Sequence, residues 1–123
     1  MGEQGTGPAT WVFDVDGCLV DSLSGTSLRP GAVELLEHLR GRSCRVLLWS
    51  AGGADYARER ATEQAIHTLF DGFHAKDGRD DDGRYRLDTL PPDLHGAVFV
   101  DDRPEDLPHH AEVVAVSPYL SHT

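Results

Sequence analysis

The sequence predicts an α/β fold with a central parallel sheet. Three short apolar runs, at residues 10–15, 45–50 and 96–102, have the nearly continuous hydrophobicity of strands that are buried on both faces. Segments with apolar residues at helical spacing separate these runs, and this alternation favours parallel strands joined by right-handed crossovers. With 123 residues, the chain is large enough for one hydrophobic core and too small for two.

The first half of the chain holds one strand, a turn-rich segment and one helix. Residues 1–9 are rich in glycine and are expected to be a flexible leader to a single domain over residues 10–123. Residues 17–30 carry turn signals and could form a small flap or hairpin over the end of the first strand. Residues 32–40 place apolar side chains at helical spacing between a proline and a glycine, which predicts a short amphipathic helix.

The second half begins with the strand at 45–50 and continues with the longest predicted helix, residues 54–69, which is rich in Ala, Glu and Arg. The remaining elements are smaller: a short strand at 72–75, a hairpin tip in 77–83, a brief helix in 87–94 interrupted by two prolines, helical turns in 104–110 and a last strand at 113–116.

Polar side chains stand at the carboxyl ends of the three strongest strands. The first strand ends in Asp14 and Asp16, the second in Ser50, and the third in Asp101 and Asp102. Ligands bind at the carboxyl ends of strands in open α/β sheets, so these side chains are expected to converge on one site. Two carboxylates one residue apart repel each other, and a divalent cation is the simplest means of keeping both ionised. The alternative is an Asp-rich turn that is merely solvated.

The composition limits the partners and the compartment. A formal net charge of −10 disfavours a nucleic-acid backbone or an anionic membrane as the main partner, although a local basic site would be compatible with it. Cys18 and Cys44 have no metal-ligand spacing and cannot form a disulfide framework, which fits a reducing compartment. The sequence shows no signal peptide and no apolar run of membrane length, so a cytoplasmic location is expected.

The turn after the first strand resembles the first motif of the haloacid dehalogenase-like (HAD) superfamily, D-x-D-G-x-L/V-x-D. The chain has Asp14-Val15-Asp16-Gly17-Cys18-Leu19-Val20-Asp21 here, with Cys18 at the usual threonine position. The strand that ends in Ser50 is similar to the second motif, and the strand that ends in Asp101 and Asp102 is similar to the fourth. The resemblance covers nearly the whole chain after residue 10. It implies a Rossmann-like HAD fold, a three-layer sandwich with a mostly parallel central sheet.

The resemblance also implies a phosphomonoester hydrolase that works through an aspartyl-phosphate. Asp14 would be the nucleophile, and Asp16 would protonate the leaving alcohol and then activate water. Ser50 would donate its hydroxyl to the phosphoryl oxygens, although it could instead be the N-cap of the following helix. Magnesium would be held by Asp14, by the backbone carbonyl of Asp16 and by the fourth-motif carboxylates, Asp102 directly and Asp101 directly or through water.

The third motif requires a cation that neutralises the aspartyl-phosphate. Lys76, the only lysine in the chain, follows the presumed third strand and is favoured for this role. Arg86 is its rival, because the superfamily often places this lysine nearer the fourth strand. Asp106 is expected either to support the metal ligands or to cap a helix start.

The spacing of the motifs leaves no room for the cap domain that many HAD relatives insert. Predicted elements fill both the interval between the first two motifs and the interval from Ser50 to Lys76. A capless site is exposed, so the protein would either act on the phosphorylated ends of macromolecules or close its site with a second subunit of a homo-oligomer or with the 77–86 loop. The substrate would thus be a small phosphorylated molecule or the phosphorylated end of a macromolecule.

Parts of the sequence are also similar to two other kinds of protein. Residues 100–104 look like the fourth motif of the end-healing phosphatase domain of polynucleotide kinase, which would make 3′-phosphorylated nucleic-acid ends the substrate. The acidic charge argues against it, as does Ser50-Ala51-Gly52, since that subgroup has Ser/Thr-Gly-Arg in its second motif. A phospho-accepting receiver domain of a signalling pathway has a similar length, but its acidic and hydroxyl residues come in the reverse order.

Overall fold

The computed structural model describes residues 9–21, 27–92 and 97–119. In this part of the chain, strands and helices alternate as predicted. The strands are β1 (Thr10–Asp14), β2 (Arg45–Ser50), β3 (Gly72–Ala75), β4 (Val98–Asp101) and β5 (Glu112–Ala115), and the α-helices are α1 (Ala32–Gly41) and α2 (Ala54–Glu63). These described residues also form the 3₁₀ helices His67–Leu69 and Pro104–Asp106.

The five strands form one sheet in the order β3-β2-β1-β4-β5, and every neighbouring pair is parallel. Strand β1 is central, and its Phe13 pairs with Leu48 of β2 and with Val100 of β4. The chain order reverses at β1, which makes the carboxyl ends of β1, β2 and β4 the expected ligand-binding edge of such a sheet. The predicted α/β fold with a parallel sheet is confirmed.

Alternate side chains of the strands lie in two separate hydrophobic clusters. In one cluster, Phe13 packs with Leu36 of α1 and Ala57 of α2. In the other, Trp49 packs with Leu107, which follows the second 3₁₀ helix. Complete burial of such a side chain stabilises the fold by about 1.5–3 kcal/mol. In the described residues, loop segments cover this second face, whereas α1 and α2 cover the first.

The longest helix is shorter than the sequence predicts. Helix α2 ends at Glu63, not at residue 69, because Ala65 adopts a left-handed conformation with φ of 59°. The backbone N–H of Ile66 donates to the carbonyl of Ala61 at 2.9 Å, and that of Ala65 donates to Thr62 at 3.0 Å. These two bonds are those of a Schellman motif, which usually has glycine where this chain has alanine.

Two small hairpins are present where turn signals predict them. In the first, Val20 pairs with Leu28 in antiparallel fashion, while the predicted tip around Ser24-Gly25 lies outside the described residues. In the second, Arg79 pairs with Tyr85, and the turn between them contains the predicted Asp82-Gly83 tip. The first hairpin follows β1, whose carboxyl end belongs to the ligand-binding edge. The second hairpin follows β3, the neighbour of β2.

The minor predicted elements are partly wrong. The described residues 87–92 contain a turn at Leu87–Leu90 and no helix, since the two prolines that follow do not permit a helical ladder. Only Pro104–Asp106 of the segment 104–110 is helical. The last strand begins one residue earlier than predicted and ends at Ala115. Of the predicted leader, only Ala9 is among the described residues.

The described residues 9–21, 27–92 and 97–119 contain no cap domain. The connection from β1 to α1 contains the first hairpin, and its stretch outside the described residues, 22–26, is too short for a domain. The connection from β2 to β3 contains α2 and a 3₁₀ helix. None of the helices in the described residues has the length and hydrophobicity that a membrane crossing needs.

Candidate active site

The strand ends converge as the sequence predicts. Asp14, Ser50 and Asp101 are the last residues of β1, β2 and β4, and all three line one open cleft of about 550 Å³. Asp16 and Asp102, just beyond the strand ends, line the same cleft. Lys76 lines it as well, so all six predicted site residues share one cavity at the carboxyl edge of the sheet.

Lys76 lies in this cleft between two of the carboxylates. Its Nζ donates to Oδ1 of Asp14 and to Oδ2 of Asp101, at 2.9 Å in each case. The backbone contributes to this position, because the N–H of Lys76 donates to the carbonyl of Ser50 at 2.8 Å and so extends the pairing of β2 with β3. The Lys76 side chain is only 7% exposed, and its Nζ lies 5.2 Å from the centroid of the Trp49 ring system.

Arg86, the rival to Lys76, lies elsewhere. Its exposed side chain contacts Asp88, with 3.5 Å between Nε and Oδ2. Among the described residues that line the cleft, Lys76 is present and Arg86 is not. The geometry therefore favours Lys76 as the cation of the site.

Burial of several charged side chains in one cluster shifts their pKa values. Burial raises the pKa of Asp14 well above its usual range, although Lys76 partly opposes this effect, and nearby Asp101 adds to it. The pKa of Asp101 is raised for the same principal reason. Burial lowers the pKa of Lys76, but the charges of Asp14 and Asp101 outweigh that effect and raise it overall. Lys76 therefore stays charged, and one lysine does not fully compensate for the carboxylates around it.

Three carboxylates form a group that suits a divalent cation. Oxygen atoms of Asp14, Asp101 and Asp102 all lie within 4.8 Å of one another. Carboxylate oxygen is the ligand type that Mg²⁺ prefers, and the excess of negative charge favours a cation here. The residues thus fit the predicted metal. The carboxylate of Asp16, the fourth predicted ligand, lies outside this group, consistent with a ligand role for its backbone carbonyl only.

Asp16 lies in a tight turn directly after β1. The carbonyl of Val15 accepts the backbone N–H of Leu19 at 2.9 Å and also those of the two residues beside it. Gly17 adopts a φ of 78°, a conformation that residues with a side chain rarely adopt. A Cβ at this position would lie 2.5 Å from Oδ2 of Asp102. The glycine of the D-x-D-G turn therefore serves both the turn and the close approach of β4.

Arg29 stabilises this turn, and no sequence pattern predicted this role. Its Nε donates to the carbonyl of Cys18 at 2.7 Å, and its guanidinium also contacts the carbonyl of Ser117. The guanidinium lies 5.3 Å from the centroid of the Tyr119 ring. The hairpin after β1 is thus tied to the segment after β5. Hydrogen bonding to carbonyls leaves no sequence pattern that could have predicted it.

Ser50 is almost fully buried, with 2% of its surface exposed. Its Oγ accepts the backbone N–H of Gly52 at 3.0 Å. The N-cap residue of α2 is Gly53, so the alternative interpretation of Ser50 as a helix cap is wrong. The serine instead ends β2 inside the cleft, next to Ala51.

Tyr56 contacts a residue of the site, and the sequence did not predict this contact either. It lies in the first turn of α2 and donates its phenolic O–H to Oδ1 of Asp16 at 2.8 Å. Partial burial raises the pKa of Tyr56 to about 12, with the hydrogen bond to Asp16 as the next cause. A tyrosine within a helix carries no pattern that could indicate a contact with a residue forty positions earlier.

Asp106 also lines the cleft. Its Oδ2 accepts from Nε of Arg103 at 3.0 Å, and its Oδ1 lies 3.8 Å from Nη1 of Arg79. The N-cap residue of this 3₁₀ helix is Arg103, so the interpretation of Asp106 as a cap of the helix start is wrong. The Asp106 side chain therefore connects the 3₁₀ helix to the second hairpin through Arg79, and its contact with Arg103 lies within the helix itself.

Comparisons with known proteins agree with this architecture. The profile of a family described as NLI interacting factor-like phosphatase matches residues 9–123. An NMR structure is also similar, that of the core domain of a protein assigned as a phosphoglycolate phosphatase from Streptococcus pneumoniae TIGR4. The TM-score is 0.57 and the identity 12%, over 90% of each chain, so this likeness shows the fold alone. A search of the curated proteins found no match.

Proposed function

The chain belongs to the NLI interacting factor-like phosphatase family, a HAD-like family of hydrolases, and we propose that it hydrolyses its substrate through an aspartyl-phosphate with the aid of magnesium. The substrate would be a phosphomonoester. The observation that carries the proposal is the position of Lys76, whose Nζ lies 2.9 Å from both Asp14 and Asp101. A lysine held between a nucleophile and a metal ligand is placed to neutralise charge on both.

The proposed reaction has two displacements at phosphorus. In the first, an oxygen of the Asp14 carboxylate forms a bond to phosphorus, and the bond from phosphorus to the leaving oxygen breaks. Asp16 gives its proton to that oxygen, which departs as an alcohol. In the second, a water oxygen attacks phosphorus, the bond to Asp14 breaks, and Asp16 takes a proton from the water. Both carboxylates line the same cleft, as the mechanism requires.

Asp14, Asp101 and Asp102 are the residues proposed to hold magnesium. Their oxygens lie within 4.8 Å of one another, and Lys76 contacts only two of the three. A bound Mg²⁺ would supply positive charge that stabilises the phosphoryl group. It would also keep the Asp14 carboxylate ionised, although burial alone raises the pKa of that group.

Ser50 is proposed to bind the phosphoryl oxygens. Because its Oγ already accepts the N–H of Gly52, the hydroxyl proton is free to donate into the cleft. This donor would hold the phosphoryl group opposite the Asp14 carboxylate. Its contribution would then be to orientation and charge stabilisation, with no proton transferred.

The charges in the cleft favour phosphomonoesters of low negative charge as substrates over nucleic-acid ends. Glu105 and Asp106 line it in addition to the metal-binding group, whereas Arg103 is its only further cation among the described lining residues. The formal net charge of −10 adds to the repulsion of a polyanion. The receiver-domain alternative is disfavoured by the strand order β3-β2-β1-β4-β5, because receiver domains have the order 2-1-3-4-5.

Release of phosphate from an aryl phosphate tests this proposal. We expect turnover with Mg²⁺, none with EDTA, and none for Asp14→Asn under either condition. Asp81→Asn, which alters an exposed aspartate in the second hairpin, serves as the matched control and should behave like the wild type. Turnover by Asp14→Asn at the wild-type rate would exclude Asp14 as the nucleophile.

A further inference from the structure

We infer that Tyr56 is a positioning residue that orients Asp16 for proton transfer to the leaving group. This inference deepens the proposed function and rests on it. It starts from one contact, the 2.8 Å hydrogen bond from the phenolic O–H of Tyr56 to Oδ1 of Asp16. Tyr56 is not among the described residues that line the cleft, whereas Asp16 is. Tyr56 therefore acts through Asp16 and not on the substrate.

The hydrogen bond distinguishes the two oxygens of the Asp16 carboxyl group. Oδ1 accepts from Tyr56, so the proton of the acid form is placed on Oδ2. That proton passes to the leaving oxygen as the bond between phosphorus and this oxygen breaks, and Asp16 is left as a carboxylate. Without the tyrosine, either oxygen can carry the proton and the carboxyl group can rotate, which lowers the fraction of productive orientations.

The surroundings of Tyr56 hold its ring in place. Gly52 makes room for the ring, because a Cβ on this residue would lie 2.7 Å from Cδ2 of Tyr56. Arg60, one turn later on α2, places its guanidinium 5.1 Å from the ring centroid. Arg60 is itself fixed by a 3.0 Å ion pair with Glu63. A residue that is held by its neighbours can in turn hold a catalytic group in one orientation.

The test compares two aryl phosphates whose leaving groups differ in their need for a proton. Phenyl phosphate has a poor leaving group that requires protonation, and dinitrophenyl phosphate has a good one that departs as an anion. The parameter kcat/KM reports the first displacement. For Tyr56→Phe, we expect kcat/KM to fall by roughly tenfold or more with phenyl phosphate and by less than about twofold with dinitrophenyl phosphate. The change removes one oxygen and keeps the packed ring.

Two further variants complete the experiment. Asp16→Asn should show the same selective loss with a larger magnitude, since it removes the acid itself. Tyr119→Phe removes a phenolic hydroxyl that contacts Leu28 and Ser27, and should leave both values unchanged. Thermal unfolding of each variant without Mg²⁺ verifies the fold.

The outcomes separate this inference from the proposed function. Selective loss in both Tyr56→Phe and Asp16→Asn supports it. An equal loss with both substrates in Tyr56→Phe, or no loss with either, overturns it while the proposed role of Asp16 stands. An unselective effect of Asp16→Asn overturns the role of Asp16 as the acid, and the inference about Tyr56 with it.

Discussion

Gly17 and Asp102 meet with no room for a side chain between them. A Cβ on Gly17 would lie 2.5 Å from Oδ2 of Asp102, closer than real contacts of this kind. Gly17 comes from the turn after β1, and Asp102 follows β4. This contact fixes the distance between the proposed nucleophile strand and a proposed metal ligand.

Gly17→Ala should therefore remove most Mg²⁺-dependent turnover. The added methyl group must displace the Asp102 carboxylate. In addition, an alanine is strained in the backbone conformation of this position, which has a φ of 78°. Gly31→Ala is the matched control, because Gly31 has a φ of 87° and nothing within 4 Å of the added carbon. It should lose about 1–2 kcal/mol of stability and keep its kcat. Equal activity of the two variants would show that the contact with Asp102 is unimportant.

Lys76→Met should lower kcat by at least about a hundredfold, because it removes the cation between Asp14 and Asp101. Arg86→Met should keep kcat within about twofold of the wild type, since Arg86 is exposed and pairs with Asp88. Steady-state kinetics with Mg²⁺ and an aryl phosphate measures both variants. The reverse result, with Arg86 essential and Lys76 dispensable, would reassign the cation of the site.

Stabilisation by Mg²⁺ should depend on pH in a defined direction. Burial raises the pKa of Asp14 from 3.8 to about 8 in the metal-free protein, so between these values the folded state holds a proton that the unfolded chain has released. The corresponding stability is complete below about pH 4 and is lost as the pH rises through about 8. Bound Mg²⁺ displaces this proton. The increase in Tm produced by Mg²⁺ should therefore grow between about pH 6 and pH 8.

Thermal unfolding at several pH values, with Mg²⁺ and with EDTA, measures this effect. Asp14→Asn is the control, because it has no proton to release at this position and should show a flatter pH dependence. An increase in Tm that is the same at both ends of the range would mean that Asp14 is already ionised in the metal-free protein.

Cys18→Ser should keep most of the activity. Cys18 is buried beside the turn, its Sγ lies 3.5 Å from the carbonyl of Val100, and burial raises the pKa of its thiol. A protonated, buried thiol reacts slowly, so a thiol reagent should modify the more accessible Cys44 first. Mass spectrometry after brief alkylation determines the order. A collapse in the rate of Cys18→Ser with the fold intact would show that the thiol takes part in catalysis.

The strands and the main site could be predicted because their signals are local. The apolar runs of β1, β2 and β4 each end in polar residues, and parallel order brings those ends together. The end of α2 could not be predicted, because the Schellman motif there uses Ala65 where glycine would have been the signal. Tyr56 and Arg29 were missed for a different reason. Their partners, Asp16 and the carbonyl of Cys18, are distant in sequence and are brought near only by the fold.

The central claim is that phosphate is transferred to Asp14, and chemical trapping of the acyl phosphate tests it most directly. Protein that is turning over an aryl phosphate with Mg²⁺ is quenched with borohydride, which reduces an acyl phosphate to an alcohol, and is then digested for mass spectrometry. With dinitrophenyl phosphate as the substrate, Asp16→Asn should slow the second displacement but not the first, and so increase the trapped fraction. We predict that homoserine appears at position 14, only when both substrate and Mg²⁺ are present. Phosphate release without modification of Asp14 in either protein would contradict the mechanism.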